Sequence, residues 1–334
     1  MTTIEAIPIP LPHIGSVNAW LLRGDPLTLL DTGPYSDVAL DALERGLRAC
    51  GVAMADIELV IGTHHHHDHV GLAATVRRAS GARIAVSCAA ADYAERYHEN
   101  VGRDRAFARE LMRGHGVPDE LLGSADALWE YIGATAEPFA ADIRLRDGDV
   151  IRAGGRNLRV LSRPGHSHTD TMFVDSAARL AFVGDHLLAK ISPNTEIVPG
   201  IPRPRPRVDY IHSLKQTASM PLQRLFPGHG PPLSSAAERV RRELAHSRRR
   251  CRRIIAALER GDTNAFAVAR RLWPEAIVRE QALLVVWEVL GHLDVMLTAG
   301  IAREARDDDG RWRYTLARDV ATAPRREQGL VLAG

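Results

Sequence analysis

The sequence predicts an α/β protein of layered architecture with a largely internal sheet, followed by a mostly helical C-terminal part. Two observations carry that expectation. Short apolar runs alternate with segments of helical periodicity through roughly the first 86 residues, the pattern of β-α-β units. After Pro231-Pro232 the composition shifts to long basic-apolar helices. At 334 residues the chain exceeds one typical domain. We therefore place a boundary at 235/236, with one domain over 1–235 and a second over 236–334.

The N-terminal stretch through Pro8 reads as a first strand. Val17–Leu22 and Leu27–Leu30 are apolar runs bounded by Gly15 and Gly24, which fits paired strands. Asp31-Thr32-Gly33-Pro34 breaks the second. Asp37–Ala49 carries Val38, Leu40, Leu43 and Leu47 at helical spacing and ends at Gly51. Ile57–Ile61 is a short buried-strand signal, Val70–Ala79 a helix and Ile84–Val86 the next strand. From about 89 to 142, large apolar residues recur at helical intervals through polar sequence. This marks a helical insertion, either a surface elaboration or a lid. Strand signals resume at Ile143–Leu145, Val150-Ile151, Leu158–Leu161 and Leu180–Val183. Pro202–Pro206 reads as an extended loop, an inert connector in preference to an arginine-lined rim. Beyond the boundary, Ala236–Arg260 is a long helix, a second runs through Phe266 and Leu272, and a third spans Arg279–Ala299. Ile301–Ala305 and Arg311–Leu316 form a hairpin turning at Asp309-Gly310.

Composition excludes several classes of function. Apolar residues at 45% and charged residues at 25% can build a substantial core without crosslinks. The three cysteines are widely spaced and read as small buried residues in a reducing compartment. A net charge of +2 gives no global pull toward polyanions. No apolar run approaches the ~20 residues of a spanning helix, and no export signal opens the chain. The expected setting is cytoplasmic, with no membrane partner.

The chemistry is concentrated in Thr63-His64-His65-His66-His67-Asp68-His69, at the end of a predicted strand. Imidazole nitrogen and carboxylate oxygen suit zinc, whose catalytic sites keep a coordination position open. His64 and His66 share one side of an extended turn and can chelate one metal. Asp68 and His69, entering a helix, can hold a second. His65 and His67 project away, to contact a ligating residue from behind or simply to pack. The run is internal and interrupted by an aspartate, unlike a tag remnant. Three further ligand-capable residues follow predicted strands and sit beside glycine: His166 in Pro164-Gly165-His166, Asp185 in Gly184-Asp185-His186, and His229 in Gly228-His229-Gly230. Glycine lets the backbone turn sharply and aim such side chains back at a common point.

Ile4–Leu233 resembles the metallo-β-lactamase superfamily, and Thr-His-His-His-His-Asp-His-Val-Gly is especially similar to the glyoxalase II type. The resemblance implies a four-layer αββα sandwich with the site at one edge. It implies two Zn²⁺ per chain: one held by His64, His66 and His166, the other by Asp68, His69 and His229, with Asp185 bridging and Asp31 orienting a ligating histidine. Such a ligand set supplies a metal-bridging hydroxide, with Asp68 steering the water as the catalytic carboxylate.

Asp185 argues against a true β-lactamase, and the basic C-terminal signature with which glyoxalase II holds glutathione is absent. Three helices and a hairpin after 236 resemble a winged helix, as found in some cytosolic hydrolases that include an endoribonuclease and thioesterase-like or lactonase-like proteins. A nucleic-acid-binding regulator is disfavoured, because Leu283–Leu290 is apolar almost all round and suggests burial against the catalytic domain. The expected function is hydrolysis of a small-molecule acyl substrate (thioester, lactone or other ester), with Tyr93, Tyr97, Trp129 and Tyr131 as candidates to line its pocket. The alternative is an endoribonuclease acting on single-stranded RNA, the one reading in which nucleic acid is a partner. Aromatics at 5% make poor provision for stacking RNA bases. A homodimer is compatible with the sequence.

Overall fold

A computed structural model describes residues 3–12 and 15–317; the end of the expected second domain, 318–334, lies outside the described residues. The chain divides into two compact units. One holds the stretches up to Val101, Tyr131–Pro193 and Ser213–Val240; the other holds Gly102–Glu130, Asn194–His212 and the chain from Arg241 onward.

The first unit is built on two sheets. Strands β1 (Ile4–Leu11), β2 (Gly15–Leu22), β3 (Thr28–Leu30), β4 (Leu59–Ile61), β5 (Arg83–Ser87) and β6 (Ile143–Leu145) form a six-stranded sheet in chain order. β1, β2 and β3 pair antiparallel, and β3 through β6 pair parallel. Strands β7 (Val150–Ala153), β8 (Arg156–Ser162), β9 (Thr171–Asp175), β10 (Leu180–Gly184) and β11 (Arg224–Pro227) form the second sheet, parallel only between β10 and β11.

Between the sheets Trp20, Leu30, Ile61 and Ala85 of the first meet Leu158, Phe173, Phe182 and Phe226 of the second in one apolar cluster. The opposite face of the first sheet is covered by helices α1 (Asp37–Ala49), α2 (His67–Val70), α3 (Ala73–Ser80) and α4 (Cys88–Glu95). Amphipathic spacing explains α1: Ala39, Leu43 and Leu47 are buried, and the Ser36 hydroxyl caps its start by accepting from Ala39 N. The expected helix over Val70–Ala79 begins three residues earlier and breaks at Gly71-Leu72. On the outer face of the second sheet lies Thr217, whose hydroxyl reaches His186 and the sulfur of Met172. Helix, two sheets and helix make the four-layer αββα sandwich.

The insertion supplies α5 (Tyr97–Gly114) and α6 (Leu122–Ala134), and α7 spans Pro206–Ala218. α7 has no counterpart in the sequence reading; the proline-rich stretch before it ends at Pro206, a residue suited to a helix's first turn. β9 has no counterpart there either: all five residues are buried, so it lacks the alternation that marks a half-exposed strand.

The second unit contains α8 (Ala236–Glu259, mostly within it), α9 (Ala265–Leu272), α10 (Glu275–Glu280), α11 (Ala282–Thr298) and the hairpin β12 (Ala302–Arg306) with β13 (Trp312–Leu316). The single helix expected over Arg279–Ala299 is interrupted at Gln281 (φ −127°, ψ 37°). α11 is buried nearly all round, and its Glu288 accepts from the fully buried Arg207 at 2.6 Å and from Arg250 at 3.2 Å. Cys251 is buried, whereas Cys50 and Cys88 are only partly so, contrary to the expectation for all three.

The inter-sheet cluster fixes how the two sets of strand ends face one another. Phe182→Ala removes a completely buried ring stacked on Phe226 at 5.0 Å. It should destabilise the protein by about 3–5 kcal/mol, read as a fall in the urea midpoint followed by circular dichroism.

Candidate metal centre

Every anticipated site residue lies on a loop leaving a strand or on the short helix that follows one. β4 runs through Gly62 and Thr63 into His64, His65 and His66, with His66 still extended (φ −64°, ψ 145°), and α2 then carries Asp68 and His69. His166 lies between β8 and β9, Asp185 directly follows β10, and His229 follows β11 after Gly228.

These residues converge from loops far apart in the sequence. His166 Nε2 is 2.9 Å from His66 Nδ1 and 3.6 Å from Asp185 Oδ2. His229 Nε2 lies 3.3 Å from Asp68 Oδ2 and 3.4 Å from Asp185 Oδ2. His69 Nε2 lies 3.5 Å from Asp185 Oδ1 and 3.8 Å from Asp68 Oδ2. The His64 and His69 rings are 4.1 Å apart. Three overlapping sets, His64/His66/His166, His64/His69/Asp185 and Asp68/His69/His229, each bring donor atoms within 4.8 Å of one another.

Rear contacts hold these rings in place. Asp31, in the left-handed region at φ 59°, accepts from Thr63 N at 2.8 Å, Thr63 Oγ1 at 2.9 Å and His69 Nδ1 at 2.9 Å. With the Thr63 hydroxyl given to Asp31, its oxygen receives His64 Nδ1 at 3.0 Å. His229 Nδ1 donates to Ser16 O at 2.9 Å. Each contact places a ring proton on Nδ1 and turns Nε2 toward the cluster.

The charge balance follows from burial and proximity. Burial pushes Asp68 and Asp185 up, but His69 and His229 outweigh it and hold both carboxyls well below the ordinary range. The reciprocal effect lifts His229 to about 10 against its own desolvation, and drives His69 well above its usual value. His64 is held well below the usual histidine range and His66 falls to about 4, chiefly through burial.

The metallo-beta-lactamase superfamily model matches residues 14–229. The chain belongs to that superfamily. A relative named probable metallo-hydrolase YqjP, from Bacillus subtilis (strain 168), is 31% identical over 302 residues, covering 89% of this chain and 93% of its own. An atrochrysone carboxyl ACP thioesterase of Aspergillus fumigatus is 25% identical over 159 residues, 45% of this chain and 46% of that one. The crystal structure of a metallo-beta-lactamase family protein from Thermus thermophilus superposes with a TM-score of 0.79 at 26% identity, covering 94% of this chain and 98% of that one.

For a member of this superfamily, the donor set is a divalent-metal site. Its fit is visible in the buried Nε2 atoms of His64 and His69 and Oδ1 of Asp185, none of which has a hydrogen-bond partner. Orphaned buried polar atoms of this kind cost free energy until a partner meets them. Close approach is also built in. A Cβ at Gly228 would fall 2.3 Å from Asp185 Oδ1 and 2.5 Å from His69 Cε1.

His65 and His67 do turn away from the cluster. His65 bonds Thr169 Oγ1 at 2.9 Å and packs on Tyr93, and His67 meets Thr135 Oγ1 at 2.8 Å and the edge of Tyr131. Sequence reasoning missed Thr63, Thr169 and the Ser16 carbonyl. Only Thr63, adjoining the cluster, carried any signal. No helix among the described residues is long and apolar enough to cross a membrane.

Two outcomes test this centre. Gly228→Ala should weaken metal binding by about 10–100-fold, the range seen when ligand orientation is lost, measured by chelator competition on folded protein. Metal must also displace the protons that the acidic pair keeps on His69 and His229. Apparent affinity should therefore climb between pH 6 and 8 by about one decade per unit for each displaced proton. In the metal-free chain the raised His229 value acts oppositely: its stabilisation is complete below about 6.5 and is lost as pH rises through about 10.

Proposed function

We propose that this protein is a binuclear zinc-dependent hydrolase acting on a carbonyl substrate, a thioester, lactone or other ester. The observation that carries the reading is the position of Asp185, whose Oδ1 faces His69 while Oδ2 faces His166 and His229. A carboxylate with its oxygens turned to both halves of the cluster suits a bridge between two cations. In this reading His64, His66 and His166 hold one Zn²⁺, and Asp68, His69 and His229 hold the other, with Asp185 shared. Bound there, the ions would supply Lewis acidity and a water acidified enough to serve as nucleophile near neutral pH.

The chain's own groups do the rest. Asp31 holds His69 by Nδ1 and Thr63 holds His64 by Nδ1, so each ring turns its Nε2 to the cluster, where a metal would take the place of the Nε2 proton on His69. Asp68, held in its charged form, offers the carboxylate that orients the attacking water. The burial of His64, Asp68, His69 and Asp185 keeps bulk water from screening these charges. The likeness to a thioesterase, spanning less than half of that relative, supports the carbonyl class over RNA.

We assign this chemistry to the domain over 1–235, and an accessory winged-helix-like role to 236–334. The near-complete burial of α11 supports a packing function for that helix over a groove-reading one.

The test is a panel on zinc-loaded protein with acyl-CoA, acyl-glutathione, homoserine lactone, a β-lactam and single-stranded RNA. A carbonyl substrate should be hydrolysed, and Asp185→Ala should reduce that activity by more than about a hundredfold. Cleavage of RNA alone, lost in the same variant, would overturn the carbonyl reading; one metal equivalent or none would overturn the binuclear one.

A further inference from the structure

His166 arrives on the connection between β8 and β9, and that loop is closed on itself by its own polar groups. Arg163 N donates to Asp170 O at 2.8 Å, and Gly165 N to Ser167 O at 2.9 Å. Within the loop Asp170 accepts from Ser167 twice, from N at 3.0 Å and from Oγ at 2.6 Å. Ser167, Thr169 and Asp170 are all buried, so water does not compete for these bonds.

The Asp170 carboxyl sets the direction of a chain of hydroxyls. Burial lifts it to about 6, and above that value it is charged and can only accept. The Ser167 proton therefore goes to Asp170, which leaves the Ser167 oxygen to accept from Thr169 N at 3.2 Å and from the Thr169 hydroxyl at 3.2 Å. With its proton given to Ser167, Thr169 Oγ1 accepts in turn, from His65 N at 3.0 Å and His65 Nδ1 at 2.9 Å. Each proton has one place to go.

The chain ends between two ligands. His65 stands between His64 and His66, so Thr169 joins the loop of His166 to the segment that carries the other two histidines. A backbone bond from Thr171 N to Thr63 O at 2.9 Å flanks it. His64, His66 and His166 are the set whose donor atoms meet in one half of the cluster. Among the described residues, the side-chain hydrogen bonds of Ser167, Thr169 and Asp170 run to one another and to His65, and none runs to Asp68, His69 or His229. Asp31, by contrast, reaches both halves, through His69 and through Thr63.

We propose that Thr169, directed by Asp170 through Ser167, is a positioning residue for one of the two metal ions alone, setting the distance of His166 from His64 and His66. The inference rests on the binuclear reading and assigns one site a support that the other does not share. Contacts behind a ligating ring govern how well it meets its ion.

The experiment titrates metal-free protein with Zn²⁺ against a chelator, resolving the two affinities, and repeats it with Co²⁺, whose absorption reports coordination. Thr169→Val, which keeps the shape and loses the hydroxyl, should weaken one ion by about 10–100-fold and leave the other within about twofold. Asp170→Asn should act in the same sense. Thr169→Ser, which keeps the hydroxyl, should bind as wild type does. In a His166→Ala background Thr169→Val should cost nothing more, because the ring it positions is gone. Should Thr169→Val not fold, Ser167→Ala breaks the same chain one step earlier and replaces it. Equal weakening of both ions, no weakening of either, a serine variant as poor as the valine one, or additive losses with His166→Ala would overturn the proposal. Uptake of a single equivalent by wild type would overturn the binuclear reading. The positioning role then stands if Thr169→Val weakens that ion and the loss vanishes in the His166→Ala background, and falls otherwise.

Discussion

The site depends on the Asp31 carboxylate. It sits at the end of β3 with its backbone in the left-handed region, which an aspartate tolerates better than most side chains. From there it binds the chain leaving β4 at Thr63 and the helix after it at His69. One buried acceptor thereby sets the path of the whole His64–His69 segment. It also decides which nitrogen of His69 faces the cluster. Without that tether the segment would be a flexible loop rich in histidine. With it, the Nε2 atoms of His64 and His69 are held in the buried cluster without hydrogen-bond partners, where a cation would meet them.

The second constraint is steric. His69, Asp185 and the backbone at Gly228 approach so closely that a single methyl group would overlap two of them. The approach is possible because two sheets pack through Phe173, Phe182 and Phe226, while Trp20 donates its indole N–H to Pro227 O at 3.2 Å, just before His229. Apolar packing between the sheets and donor convergence beyond their strand ends are therefore one structural fact. The rigid core lets loops carry catalysis without losing their geometry.

Much of this was legible from local pattern. Strand-then-glycine-then-ligand recurs at His166, Asp185 and His229, and hydrophobic periodicity marked α1, α8 and most strands of the first sheet. The failures have physical causes. β9 is buried on both faces and carries no alternation. α7 begins within a proline-rich run that reads as extended chain. The helix expected over Arg279–Ala299 breaks at Gln281, where the local apolar period gives no warning. Thr169 and Ser16 act on His65 and His229 across 104 and 213 positions, and a hydroxyl or carbonyl at that distance has no sequence signature.

The sequence by itself determined the donor types, their order along the chain and their attachment to strand ends, because ligand chemistry and strand periodicity are properties of short segments. Tertiary structure alone decided that Asp185 turns its oxygens to both halves of the cluster, and which ring nitrogens are free. It alone left Tyr131 exposed while Tyr93, Tyr97 and Trp129 were buried. Those outcomes depend on register and packing between segments far apart in the chain, where angstrom distances and solvent access are set by neighbours that no local pattern specifies.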